Sequence, residues 1–435
     1  MTRLERRRLL ASLGAGIAVG GAGCLTDMVT ESDDSPREFD PDELDPILSE
    51  DVPAVDPPAP VQPSDAAVAD ALEELDDLLA TVPDPLQAED VPNEAVRNRI
   101  DQIHERARNG RESLEDSPNR FHTLLDSVTA RRDAGTASAA FVAVDSDLTR
   151  SDVEDDRDAV RTRLEDRRTG LGAIGDQIQR TLLLQYHLES ELAAAERWLD
   201  NRPRDRSTGV VAIGEIAGAV ERARAAIAAV EELERRHVDR LDDERAFGGR
   251  IEDALERSRT AIESADVPER WDDVSERVDA DLSDTVGERV LDEGWRTAAG
   301  TSTRVTDAVT DGTPATALRS ACAFERDRRA FEAIQTATEA GDHRTIEDVE
   351  DVRVQREAAL ERAEATSFDP ADPSLGGDLL AETYRRLEIQ DRKIREDIEQ
   401  GYRSNLFRPY ANYVLIDAQL EALPDAVAVL EDRLE

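Results

Sequence analysis

The sequence is poor in the residues that most often carry chemistry. Only two cysteines occur, Cys24 and Cys322, so a disulfide framework has nothing to build on. Cys322 lies in Ser320-Ala321-Cys322-Ala323-Phe324 and reads as a small buried hydrophobe on a helix; a nucleophile would need a base and an orienting group that no local motif supplies. Lys393 is the one lysine, so basic charge is almost wholly arginine, and no basic patch exists for nucleic acid. There is no phosphate-cradling glycine loop, no His-Glu-x-x-His and no nucleophile elbow. Alternation of apolar and polar residues over five or more positions is missing, which excludes a sheet protein.

What the chain has in excess is negative charge. The formal net charge is −44, and removing residues 1–23 takes it to about −47. In dilute buffer such repulsion opposes compaction, whereas at molar salt the screening length falls to about 3 Å. The composition predicts a high-salt solvent. Regular apolar spacing through most of the chain argues against disorder as the source of the acidity.

The N-terminus carries an address. Arg6-Arg7 stands in Arg6-Arg7-Arg8-Leu9-Leu10, followed by the short, glycine-rich apolar stretch Leu9 to Gly23 and then Cys24. That stretch is too short to span a bilayer comfortably. The segment resembles the twin-arginine lipoproteins of halophilic archaea over residues 1–24, departing at Gly21, where a bulky aliphatic residue is usual. The resemblance implies export through Arg6 and Arg7, cleavage, and a lipid on Cys24 that holds the protein to the outer face of the membrane. It implies nothing about the folded body.

Residues 24–63 are rich in Asp, Glu, Ser and Pro and are expected to form a disordered acidic linker. Residues 64–435 are expected to form an all-α domain of long antiparallel helices, in a bundle or coiled-coil-like hairpins, with the best internal boundary at 201–209. Ser64 is a natural N-cap before Val68, Leu72, Leu75, Leu79 and Val82. The longest helix is expected over 151–200, opened by a Ser151/Glu154 capping box and softened at Gly170, Gly172 and Gly175. Another runs from Val210 to about Phe247, and further ones cover 92–114, 118–145, 250–265, 268–311 with interruptions, 314–340, 344–366, 378–406 and 409–434. Pro409 and Pro424 are expected to punctuate the last segments.

Few groupings suggest a site. The histidines are His104, His122, His187, His237 and His343. His187 and Glu191 share a helix face, as do His237 and Glu234, so each pair is a candidate half of a metal site; both spacings also occur as ordinary helix pairs. Tyr402, Phe407, Tyr410 and Tyr413 crowd around Pro409, either as a binding patch or as filling for a helix bend. No catalytic centre and no cofactor emerge. The sequence points to a lipid-anchored surface protein that binds a solute, another protein or an envelope component; the alternative is a helical metal-binding protein or metal-dependent enzyme.

Overall fold

The structure is a computed structural model that describes residues 37–201, 209–278, 282, 285–342 and 344–435, all within the compact unit Pro36–Glu435. Arg6, Arg7, Cys24, residues 202–208 of the expected boundary and His343 lie outside the described residues.

Strand β1 (Glu38–Phe39) and helix α1 (Pro41–Leu44) open the described chain. They correct the expectation of a disordered linker for residues 37–63. Phe39, Leu44 and Ile47 are fully buried, Val61 nearly so, and Arg403 bonds Asp40 at 2.8 Å. The prolines block regular structure, but the few apolar side chains between them find slots in the helical body.

Helices α2 (Asp65–Ala80), α3 (Glu94–Ser113), α4 (Arg120–Asp145) and α5 (Arg150–Gly170) follow. Ser64 caps α2 as its sequence predicts, the Oγ accepting from Ala67 N–H at 3.2 Å. At α5 the capping box is Thr149 with Asp152, two residues earlier than Ser151 with Glu154. The expected single helix over 151–200 is two. Strand β2 (Ile174–Gly175) separates α5 from α6 (Ile178–Asp200) and pairs antiparallel with β3 (Arg245–Ala246), which follows α7 (Val210–Asp239). Glycine is required at the break, because a Cβ on Gly175 would lie 1.9 Å from Thr181 Oγ1.

Helices α4 and α7 form the spine of this first half. Thr129 with Arg222, Arg131 with Glu221 and Thr136 with Gly218 pair in falling order, so the two run antiparallel. Their axes come close because the facing residues are small: a Cβ on Gly218 would stand 1.9 Å from Thr136 Oγ1 and 2.7 Å from the Arg132 carbonyl oxygen. Helices α2 and α3 cover α4, while α5 and α6 cover α7.

The second half comprises α8 (Gly248–Glu263), α9 (Trp271–Ser275), α10 (Val286–Thr310), α11 (Pro314–Glu339), α12 (Val349–Ala365), α13 (Leu375–Gln400), β4 (Ser404–Asn405) and α14 (Phe407–Leu434). Its centre is α11 against α14, antiparallel through Cys322 with Ala426 and Asp327 with Gln419. Strand β4 pairs with β1. Pro424 does not end α14: it sits on the exposed face, where water can take the carbonyl that a proline leaves free. The described chain is therefore all-α but for two pairs of two-residue strands. No described helix is long and apolar enough to cross a membrane.

Helix α6 joins the halves by packing against α11 and α13. Its Glu189 carboxylate accepts from Ala315 N–H at 3.1 Å and from Thr316 N–H and Oγ1–H at 2.8 and 3.0 Å, so one half caps the first turn of a helix in the other.

Candidate functional site

Beside that joint a cleft of about 780 Å³ opens between α4 and α6 on one side and α11 and α13 on the other. Its base is built from His122 and Asp126, one turn apart on α4, and from Tyr186 and His187 on α6. Arg319 of α11 and Asp378 and Glu382 of α13 form the opposite wall.

The roof is the extended segment Asp51–Pro57. Its entry is fixed by Arg356, whose Nη2 donates to the Glu50 carbonyl oxygen at 2.5 Å and to Asp391 Oδ2 at 2.6 Å. Tyr413 Oη–H donates to Asp391 Oδ1 at 2.7 Å in the same buried cluster. Beyond the roof, Val61 is buried and anchors the other end.

The far wall is electrically satisfied. Arg319 Nε donates to Asp378 Oδ2 at 2.7 Å, a second nitrogen pairs with Glu382, and the guanidinium lies 4.7 Å from the centroid of Tyr186. Burial by itself would push Glu382 up, yet Arg319 and Arg326 pull it down to about 2. Burial disfavours the charge on Arg319, and Asp378, Tyr186 and Glu382 outweigh that.

The base is different. Asn119 Oδ1 accepts the His122 backbone N–H at 3.2 Å, which fixes that atom as the oxygen; His122 Nδ1, 3.0 Å from the same atom, must therefore be the ring donor. Nε2 of the neutral ring then holds a lone pair. Burial lowers both His122 and His187 to about 4, with Asp378 opposing in each case. His187 is ringed by Phe121, His122 and Tyr186, and its Nε2 is shut from solvent with no hydrogen-bond partner. A buried nitrogen left so costs about 1–3 kcal/mol, and such groups mark sites that a ligand or water completes. Asp126 is raised by burial and drawn down by Arg385 and Ser117.

The sequence-derived candidates fare unevenly. His187 belongs to the cleft base, but Glu191 on the next turn is drawn 3.5 Å from Arg222. His237 is buried and its Nε2 bonds the Ile174 carbonyl at 2.9 Å, tying α7 to β2, while Glu234 pairs with Arg167. His104 is likewise bonded, to the Leu79 carbonyl at 3.1 Å. Among the described residues no group of three or more His, Cys, Asp or Glu side chains is placed to hold a metal ion.

The aromatic cluster is corrected as a surface patch: Tyr413 is fully buried with its hydroxyl satisfied, Tyr410 is buried, Phe407 is half-buried and only Tyr402 is exposed. Pro409 opens no gap for them, because it lies in the first turn of α14, where a missing N–H breaks no bond. Cys322 is buried and its thiol pushed up to about 12 by burial, as an inert core residue should be.

Sequence reading missed Asp126, Arg319, Asp378, Glu382 and the roof. The available signal was His122 four residues before Asp126, a helix-face pair of a kind that recurs by chance in a chain with 98 acidic residues.

The halves that meet at the cleft are the segments that comparison with known families picks out. Residues 66–243 match a family described as Domain of unknown function (DUF8262). Residues 248–432 match a second, Domain of unknown function (DUF8264). No curated protein and no solved structure matches the chain.

Proposed function

We propose that the protein is a surface-tethered binding protein without a catalytic centre, and that its recognition site is the cleft between the two halves. The observation that carries this reading is the unpartnered His187 Nε2 in the base of a cleft of about 780 Å³, a volume in the range of small-molecule sites. The walls are helices and the two base imidazoles are held neutral, which suits reversible recognition better than proton transfer near neutral pH. The metal-centred alternative is less favoured, because Arg222 and Arg167 already engage the glutamates it would need.

The tether is part of the proposal. Arg6-Arg7 would direct export, Cys24 would carry the lipid on the outer face of the membrane, and residues 24–36 would join it to the body; the acidic composition suits a high-salt exterior. Fractionation tests it: Arg6-Arg7 replaced by two lysines should leave the protein in the cytosol, and Cys24→Ser should release it from membranes. Undiminished membrane display of both variants would refute the tether. For the cleft, a panel of polar solutes in molar salt should contain at least one that raises the thermal midpoint of wild type and not of His122→Gln, and a panel without effect would refute the site.

A further inference from the structure

We infer, resting on the cleft as the binding site, that its ligand is a small organic cation carrying N–H donors, an alkylamine or polyamine rather than an anion, a metal ion or a quaternary ammonium.

The lining holds seven carboxylates against three guanidiniums. Asp378 and Glu382 are committed to Arg319, and Asp391 to Arg356 and Tyr413. That leaves Asp51 and Asp56 on the roof, Asp126 at the base and Glu388 at the rim, facing Arg385 and Arg395. The remaining field is negative, and the two neutral imidazoles add no positive charge to offset it. An acidic lining alone would say little in a chain of net charge −44.

The histidines make the site specific. His122 presents a lone pair at Nε2, because its ring proton is donated to Asn119, and the neutral His187 ring packs beside it at 6.3 Å between centroids. A lone pair next to carboxylates is complementary to an N–H donor, reached directly or through one water. An anion would find Arg319 already saturated by two carboxylates, and Arg385 and Arg395 outnumbered by Asp51, Asp56, Asp126 and Glu388. A quaternary ammonium has no N–H to offer and would need open aromatic faces, yet Tyr186 is already stacked by Arg319 at 4.7 Å. A metal ion would need a third protein ligand, and the described residues supply no such cluster.

Isothermal titration of the full chain in molar KCl with spermidine, glycine betaine, trehalose and citrate tests the inference. Spermidine should bind one per chain and betaine at least about tenfold more weakly, as the loss of charge-assisted hydrogen bonds implies. Asp126→Asn and His122→Gln should each weaken spermidine by about tenfold. If trehalose or citrate binds and spermidine does not, the cleft remains a binding site and the cation is overturned. If none of the four binds, the cation is overturned and the cleft itself loses its support. Spermidine binding that both variants leave unchanged overturns the placement of the ligand.

Discussion

His187 offers the sharpest test of the cleft base. Its ring is lowered from the ordinary 6.5 to about 4, chiefly by burial. The unfolded chain therefore takes up a proton near pH 6.5 and the folded chain does so only near 4. The stabilisation is fully present above 6.5 and is lost as pH falls towards 4. Between pH 7.5 and 5.0 the shift is worth about 2 kcal/mol for this one side chain. In His187→Gln that portion should vanish while every carboxylate still titrates. Urea unfolding at the two pH values, in molar salt, should thus show a pH dependence smaller by about 2 kcal/mol in the variant. Carbon-detected NMR of the ring gives a direct reading, with the His187 resonance unmoved down to pH 5.5. A midpoint between 6 and 7, or equal pH dependence in the two proteins, would refute the argument from burial.

Other perturbations probe the frame around the cleft. Arg319→Met leaves Asp378 and Glu382 facing each other unpaired and should cost about 3–5 kcal/mol in urea unfolding, whereas Arg245→Met, whose partner Asp243 is at the surface, should leave the urea midpoint nearly unchanged. Gly218→Val puts branched carbon where Thr136 and the Arg132 carbonyl already stand, so the α4–α7 spine should separate and the thermal midpoint fall, with Gly249→Ala, in open space, as the neutral control. Burial raises Glu189 to about 7, against the donors of Thr316 and Ala315. Its stabilisation is complete below about pH 4.5 and lost as pH rises through 7, the reverse of His187; Glu189→Gln should flatten the decline in thermal midpoint between pH 5 and 8.

The helical class was legible because apolar residues recur every three or four positions, and the cap at Ser64 opens a helix where the side chain announces it. The break at Gly170 to Gln177 was harder to read. Three glycines mark it, but its cause is a long-range one: β2 pairs with β3 and His237 bonds the Ile174 carbonyl, some sixty residues away in sequence. The fate of Phe39, Leu44 and Ile47 was hidden for the same reason, since proline density speaks of local structure and not of slots elsewhere that receive isolated apolar side chains. Tyr413 shows the limit for sites: its spacing near Pro409 fitted either a binding patch or filling for a helix bend, and only the fold reveals that its hydroxyl supports Asp391 beneath the cleft roof. A cleft assembled from four helices has no local signature, because no two of its walls are neighbours in the chain.

The central claim is that His122 and His187 are the recognition floor of a solute site. The most direct measurement follows the five histidine ring resonances by NMR in molar salt while amines and neutral or anionic polar solutes are titrated in. The account predicts that an amine shifts His122 and His187 together in a saturable way and leaves His104 and His237 where they were. Saturable binding that moves His104 or His237 and not the pair, or no response of the pair to any solute, would contradict it.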